Sequence, residues 1–239
     1  MIKINNLTKK YKDKLAVDNL NLEIKTGELF SLLGTNGAGK TTTIKMLSTL
    51  ILPTSGEVEI NNLDLVKDSS KIKEIINISP QEIAVASNLT VLENLYFMAG
   101  IYQIPNKEDK IKELIKLFKL EEVLKQKAKT LSGGYQRKLS IAISLINNPK
   151  ILFLDEPTLG LDVISRHDLW KIIELLKGKT TIILTTHYME EAESICDRVV
   201  LMNNGKIITI GTPEEIKEKT NTSNLREAFF ALTGGDNYE

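Results

Sequence analysis

The chain is poor in several things, and each shortage narrows what it can be. A single cysteine, Cys196, in 239 residues has no partner for an intrachain disulfide, so the fold does not depend on an oxidising compartment. Set between Ile195 and Asp197 near the end of a predicted helix, it reads as a small buried filler rather than a reactive thiol. Charge of one sign is not in excess: Lys plus Arg and Asp plus Glu number 31 each. No net field holds a polyanion or presses the protein onto an anionic membrane, and no nucleic-acid partner is expected. Long hydrophobic runs are missing. Stretches such as Ile151 to Leu154 and Val199 to Met202 are strand-sized, far short of the ~18 residues of a spanning helix, so membrane work calls for a partner. The opening Met1-Ile2-Lys3-Ile4-Asn5-Asn6 lacks the apolar stretch of a secretory leader, which suits the cytoplasm.

What is present is enough apolar material, 42% of residues, to form the core of one large α/β domain or two small ones. Alternation in Ile2-Lys3-Ile4 and Leu20 to Ile24, with a turn at Lys25-Thr26-Gly27, predicts antiparallel strands at the start. Leu29 to Leu33 reads as a buried strand, Thr41 to Leu50 as a helix stopped before Pro53, and Gly56 to Ile60 as another strand. Between Gln81 and Asn148 the pattern turns helical, over Val91 to Ile101 and Glu108 to Leu120; the second carries Ile111, Leu114, Ile115 and Phe118 on one face. From Ile151 strands and helices alternate again. Strands are expected near Ile151 to Leu154, Thr180 to Leu184, Val199 to Met202 and Lys206 to Ile210, the last two joined by the hairpin signal Asn203-Asn204-Gly205. The expected organisation is a core of residues 1–81 and 149–220, a helical insert of 82–148, and a tail of 221–239 with one short helix over Asn224 to Leu232.

Gly34-Thr35-Asn36-Gly37-Ala38-Gly39-Lys40-Thr41 satisfies G-x-x-x-x-G-K-[ST] between an apolar strand and a helix, the context a phosphate loop requires. Gly34, Gly37 and Gly39 free the backbone to aim successive N–H groups at phosphate oxygens. Lys40 supplies a mobile positive charge to the outer phosphates, and Thr41, followed by Thr42, a hydroxyl for Mg²⁺. Far downstream, Asp155 and Glu156 end an apolar strand where alternation buries one of them, and a buried carboxylate asks for a cation; the alternative is a helix cap before Pro157. Ser132-Gly133-Gly134, at the start of a helix over Tyr135 to Ile146, makes a second anion-binding surface.

This ordered set resembles the ATP-binding cassette (ABC) ATPases over most of the chain. The resemblance implies a P-loop ATPase core, α/β in class, with an N-terminal antiparallel β subdomain and an inserted helical subdomain. It implies ATP and Mg²⁺ as ligands, with Thr41, Gln81 and Asp155 around the metal, Glu156 as general base, and His187 as the switch histidine at the γ-phosphate. Tyr11, in a loop between early strands, matches the aromatic that stacks on adenine, although a plain core or surface tyrosine has the same signature. Ser132, Gly133 and Gly134 would face the phosphate loop of another cassette, giving a head-to-tail homodimer, or a heterodimer with a second cassette, with ATP between the chains. Tyr135 stands where glutamine is common, and Leu161-Asp162 resembles the loop that couples the two sites, with Val163 where proline is frequent. His167 reads as a solvent-facing helix residue.

Ile83-Ala84-Val85-Ala86 puts apolar residues in a surface loop beside Gln81, as a docking surface for a separate integral-membrane permease or as a cover over the insert's own core. The signature helix, the Pro53-Thr54-Ser55-Gly56 turn and the stretch Leu225 to Gly234 resemble the drug, antibiotic and polysaccharide exporter branch, which places the chain at the cytoplasmic face of a membrane. A nutrient importer subunit and a non-transport regulator are the other readings. Against the regulator, the chain has neither a second cassette nor a long coiled coil.

Overall fold

The computed structural model describes residues 1–234. The first two strands, β1 (Ile2–Tyr11) and β2 (Lys14–Ile24), form a hairpin whose strands each run more than twice as long as the alternating stretches that predict them. With β4 (Ser55–Ile60) and β5 (Leu63–Asp64) they build an antiparallel sheet ordered β2-β1-β4-β5. The expected turn at Lys25-Thr26-Gly27 leads into β3 (Leu29–Gly34), which opens a second sheet. That sheet runs β10-β9-β3-β8-β7-β6, from β6 (Ile76–Ser79), β7 (Ile151–Asp155), β8 (Thr181–Thr186), β9 (Arg198–Asn203) and β10 (Lys206–Gly211). All its neighbours are parallel except β9 and β10, joined through Asn203-Asn204-Gly205 as the sequence predicts.

Strand alternation divides the core between the two faces of this sheet. Leu29, Leu33, Leu152, Leu154, Ile182, Leu184, Val199 and Leu201 join one apolar layer. Phe30, Leu32, Ile151, Phe153, Ile183, Val200 and Met202 join the other. The first layer packs against α3 (Val91–Ile101), α4 (Lys107–Phe118), α5 (Gly133–Ser144), α6 (Val163–Glu174), α7 (Met189–Ile195) and α9 (Leu225–Thr233). The second takes α1 (Lys40–Leu47), α2 (Ser69–Ile75) and the antiparallel sheet. With α8 (Pro213–Thr220) these complete the α-helices among the described residues. The fold is thus α/β with the antiparallel strands and the run of helices between β6 and β7 that the resemblance implies.

Local chemistry explains the ends of the helices. Thr90 and Glu93 exchange capping bonds at the start of α3, as do Thr212 and Glu215 at α8, where Pro213 occupies the first turn. Helix α1 stops at Leu47, short of the predicted Leu50, because Thr49 turns into the left-handed region (φ 61) well before Pro53. Helix α5 starts at Gly133 instead of Tyr135 because Ser132 caps it. The tail helix falls within a residue of its expected place; the last five residues of the expected tail lie outside the described part of the chain.

Candidate active site

Register brings the chemistry together. Leu33 stands opposite Thr186, Asp155 opposite Thr185, and Ser79 opposite Leu154. The carboxyl ends of β3, β8, β7 and β6 therefore share one edge of the sheet. The residues that follow them, Asn36 to Lys40, His187, Glu156 and Gln81, converge where an open parallel sheet receives its ligands. They line a cavity of about 400 Å³ together with Tyr11, Lys14, Ala16, Thr41, Thr42 and Leu159.

The glycine loop is shaped by two different constraints. Gly37 (φ 83) and Gly39 (φ 101) occupy the left-handed region, and a Cβ on Gly39 would lie 2.6 Å from the Ala16 carbonyl oxygen. Gly34 does not share that conformation. What excludes a side chain there is contact, since its Cβ would run into the Met202 carbonyl oxygen. The loop delivers the chain into α1, whose first turn has neither an acidic residue nor a side-chain cap. Its N–H groups and dipole are left to an external anion.

Lys40 is buried and folded back over the loop. Its Nζ donates to the carbonyl oxygens of Gly34 (2.8 Å) and Thr35 (3.2 Å) and lies 3.5 Å from Glu156 Oε1. Thr41 Oγ1 donates to Asp155 Oδ1 at 3.0 Å, and Thr185 Oγ1 donates to the same oxygen. Both Asp155 and Glu156 are buried, not one of them as strict alternation predicts. Glu156 leaves the strand with φ 49, the one buried residue among the non-glycine residues in that region. Its backbone N–H donates to Thr185 Oγ1 at 2.9 Å, which holds a conformation costing about 1–3 kcal/mol elsewhere. Its Oε2 accepts from His187 Nδ1 at 2.8 Å, so the carboxylate lies between an ammonium and an imidazole.

The remaining expected residues divide. Tyr11 is the last residue of β1 rather than part of a loop, paired with Lys14 and 45% exposed at the cavity rim. Gln81 is exposed and lines both the cavity and an adjoining cleft that contains Thr41 and Asp155. Gly34 and Thr35 border a separate apolar hollow under Phe229 and Phe230. Ser132, Gly133 and Gly134 do not line the cavity; they form the N-terminus of α5, where Ser132 Oγ accepts from the Tyr135 N–H. Asp162 caps α6, accepting from the N–H groups of Ile164 and Ser165, and leaves Val163 and Ile164 78% and 77% exposed. His167 is exposed, as expected. In the apolar loop only Ile83 and Ala84 are exposed. Val85 packs on the core, and Ala86 is bound by the side chain of Asn94 on α3.

Sequence reading missed the residues that hold these parts in place. Thr185 serves both carboxylate positions, and its only sequence sign is the polar pair Thr185-Thr186 closing an apolar strand. Arg137, on α5, is buried and donates through Nη1 and Nη2 to the carbonyl oxygens of Pro80 and Gln81, tying the Gln81 loop to the Ser132 helix. Burial lowers the Arg137 pKa, and the charge of Asp155 works against that shift.

The family pattern described as "ABC transporter" matches residues 17–159. The chain is 40% identical over 223 residues to "Probable multidrug ABC transporter ATP-binding protein YbhF" of Escherichia coli (strain K12), covering 92% of this chain and 38% of that protein. It therefore spans well under half the length of that relative. It is 40% identical over 219 residues to "Linearmycin resistance ATP-binding protein LnrL" of Bacillus subtilis (strain 168), covering 90% of this chain and 70% of that one. Among solved structures, the dimeric post-hydrolysis state of the ATP-binding cassette MJ0796 bound to ADP and Pi superposes with a TM-score of 0.80 and 30% identity, covering 89% of this chain and 98% of that one.

Proposed function

Since this chain belongs to the ABC transporter family, we propose that it binds and hydrolyses ATP to power a transporter. In this reading the cargo is exported, and is a drug, an antibiotic or another amphipathic or polymeric compound. The observation that carries the chemistry is Glu156, held between Lys40 and His187 at the mouth of a phosphate loop. A carboxylate with both oxygens engaged is a poor base. An arriving γ-phosphate competes for the same ammonium and imidazole, drawing Lys40 and His187 toward itself and leaving Glu156 to polarise a water. Tyr11 at the rim stacks on the adenine, and Thr35 to Thr42 cradle the phosphates.

The donor set fits Mg²⁺. Thr41 and Asp155 present hard oxygen ligands side by side, with Gln81 exposed next to them. Among the described residues no cluster of three or more His, Cys, Asp or Glu could hold a metal alone. That suits an ion that keeps its waters and arrives with substrate phosphates. When bound, the metal neutralises charge developing on the phosphoryl oxygens.

Ser132, Gly133 and Gly134 lie apart from the cavity of their own chain, and we assign them to the ATP of a second cassette in a head-to-tail dimer. The helices of 82–148 form the subdomain that carries this surface, set into a core of 1–81 and 149–220. Among the described residues no helix is long and apolar enough to cross a membrane. A separate permease provides the pathway, and this chain sits on it from the cytoplasmic face. Exposed Ile83 and the outer side of α3, with Tyr96, Phe97 and Ile101, supply the docking surface.

The test is Glu156→Gln, which keeps shape and removes basicity. Turnover should fall about 10²–10⁴-fold with ATP still bound, and an ATP-dependent dimer should accumulate on size exclusion. Turnover within about twofold of the parent at saturating Mg²⁺-ATP would remove Glu156 from the role.

A further inference from the structure

Behind the cavity lies a second carboxyl that the chemistry above does not use. Glu191, on α7, is 0% exposed. Its Oε1 accepts from Thr158 Oγ1 at 3.0 Å and from Trp170 Nε1 at 2.8 Å. The partners come from separate segments. Thr158 follows Glu156 by two residues, Glu191 follows His187 by four, and Trp170 stands on α6, the helix capped by Asp162.

The turn carrying Glu156 and the loop carrying His187 are therefore joined twice. One joint is the Glu156–His187 contact, where the imidazole is partly exposed and a phosphate competes for it. The other lies in the interior at Glu191, out of reach of substrate. Glu191 Oε2 has no hydrogen-bond partner among the described residues, so a charge on it would stand unpaired in a buried place. Burial pushes the Glu191 carboxyl up, with the nearby charge of Glu156 adding to the shift, while the polar groups of Thr186, Trp170 and Thr158 work against it. The carboxyl accepts from donors on two separate segments and so fixes their geometry.

We propose that Glu191 is a positioning residue: its buried carboxyl sets the separation of the Glu156 turn from the His187 loop and ties both to α6. Through α6 the setting of the exposed Asp162 turn, where a second cassette would bear, reaches the pair at the phosphate. This inference rests on the reading of Glu156 and His187 as the hydrolytic pair.

The experiment compares Glu191→Gln and Glu191→Met in the full chain, reading ATPase kcat and KM and, separately, the binding of a non-hydrolysable ATP analogue. Glutamine keeps a carbonyl acceptor for Thr158 and Trp170, and kcat should stay within about threefold of the parent. Methionine keeps the volume and loses the acceptor. Its kcat should fall about ten- to a hundredfold, the effect of sub-ångström to ångström misplacement of reacting groups, with analogue affinity within about threefold. If Glu191→Met does not fold, Trp170→Phe removes one donor and keeps a smaller aromatic ring, and should lower kcat at least about threefold with affinity unchanged. Parent-like kcat in the folded variant, equal losses in the glutamine and methionine variants, or a parallel loss of affinity and kcat would overturn the role. A parent chain that binds the analogue yet never turns over ATP would instead overturn the ATPase reading and take this inference with it.

Discussion

Lys40 sits between the glycine loop and Glu156, the base of the proposed reaction. In this structure its buried ammonium is satisfied by two loop carbonyl oxygens and the Glu156 carboxylate. Lys40→Ala removes the cation from the phosphate loop and leaves Glu156 with His187 alone. The expected outcome is a folded chain of lower melting temperature whose turnover or nucleotide affinity drops at least about 10²-fold, as measured by steady-state ATPase and nucleotide titration. A folded, fully active variant would contradict the assignment. Cys196 offers a control on the core. Burial pushes its thiol well above the ordinary range, and the thiolate is the reactive form. A water-soluble disulfide reagent at about pH 8 should leave the native chain unmodified and label it stoichiometrically in denaturant. Equal labelling rates in the two conditions would show that the region around α7 is open. At this scale the sequence named residues by their spacing, but not the partners that come from elsewhere in the chain. Apart from the polar pair at Thr185-Thr186, nothing nearby marks Thr185, Arg137 or Glu191, because each acts through a tertiary contact: with Asp155, with the Gln81 carbonyl, and with Thr158 and Trp170.

Elements were legible where their own residues decide them. Helix α3 matches its predicted span because a capping box starts it and its apolar residues repeat, and the hairpin of β9 and β10 follows from Asn203-Asn204-Gly205. Helix α2 and strand β6 went unread, since Ile76-Asn77-Ile78-Ser79 follows the helix with no turn residue between them, and β6 is a strand because β7 pairs with it. The loop after Gln81 holds both halves of its ambiguous reading, exposed at Ile83 and tucked in at Val85. A clean test of docking therefore changes Ile83 and spares Val85. Ile83→Asp should leave basal ATPase within about twofold, because it removes no phosphate contact, and abolish recovery of the chain with permease-containing membranes. Undiminished membrane recovery would place the docking surface elsewhere.

At the scale of the whole molecule, the two surfaces assigned to phosphate in the proposed function do not meet within one chain. The loop before α1 lines the cavity; the start of α5, with Ser132, Gly133 and Gly134, does not. Motif order made both legible in the sequence, yet only the fold reveals their separation, because it depends on where the helices between β6 and β7 come to rest. If the two surfaces complete each other across a head-to-tail dimer, each ATP is held by the loop of one chain and the α5 start of its partner. Mixing Lys40→Ala chains with Ser132→Arg chains tests this directly. In the mixed dimer both defects fall on one composite site and the other is intact, so ATPase activity absent from either variant alone should return in part. No recovery, with mixed dimers shown to form by a two-tag pull-down, would mean that each chain builds its own site and would contradict the account.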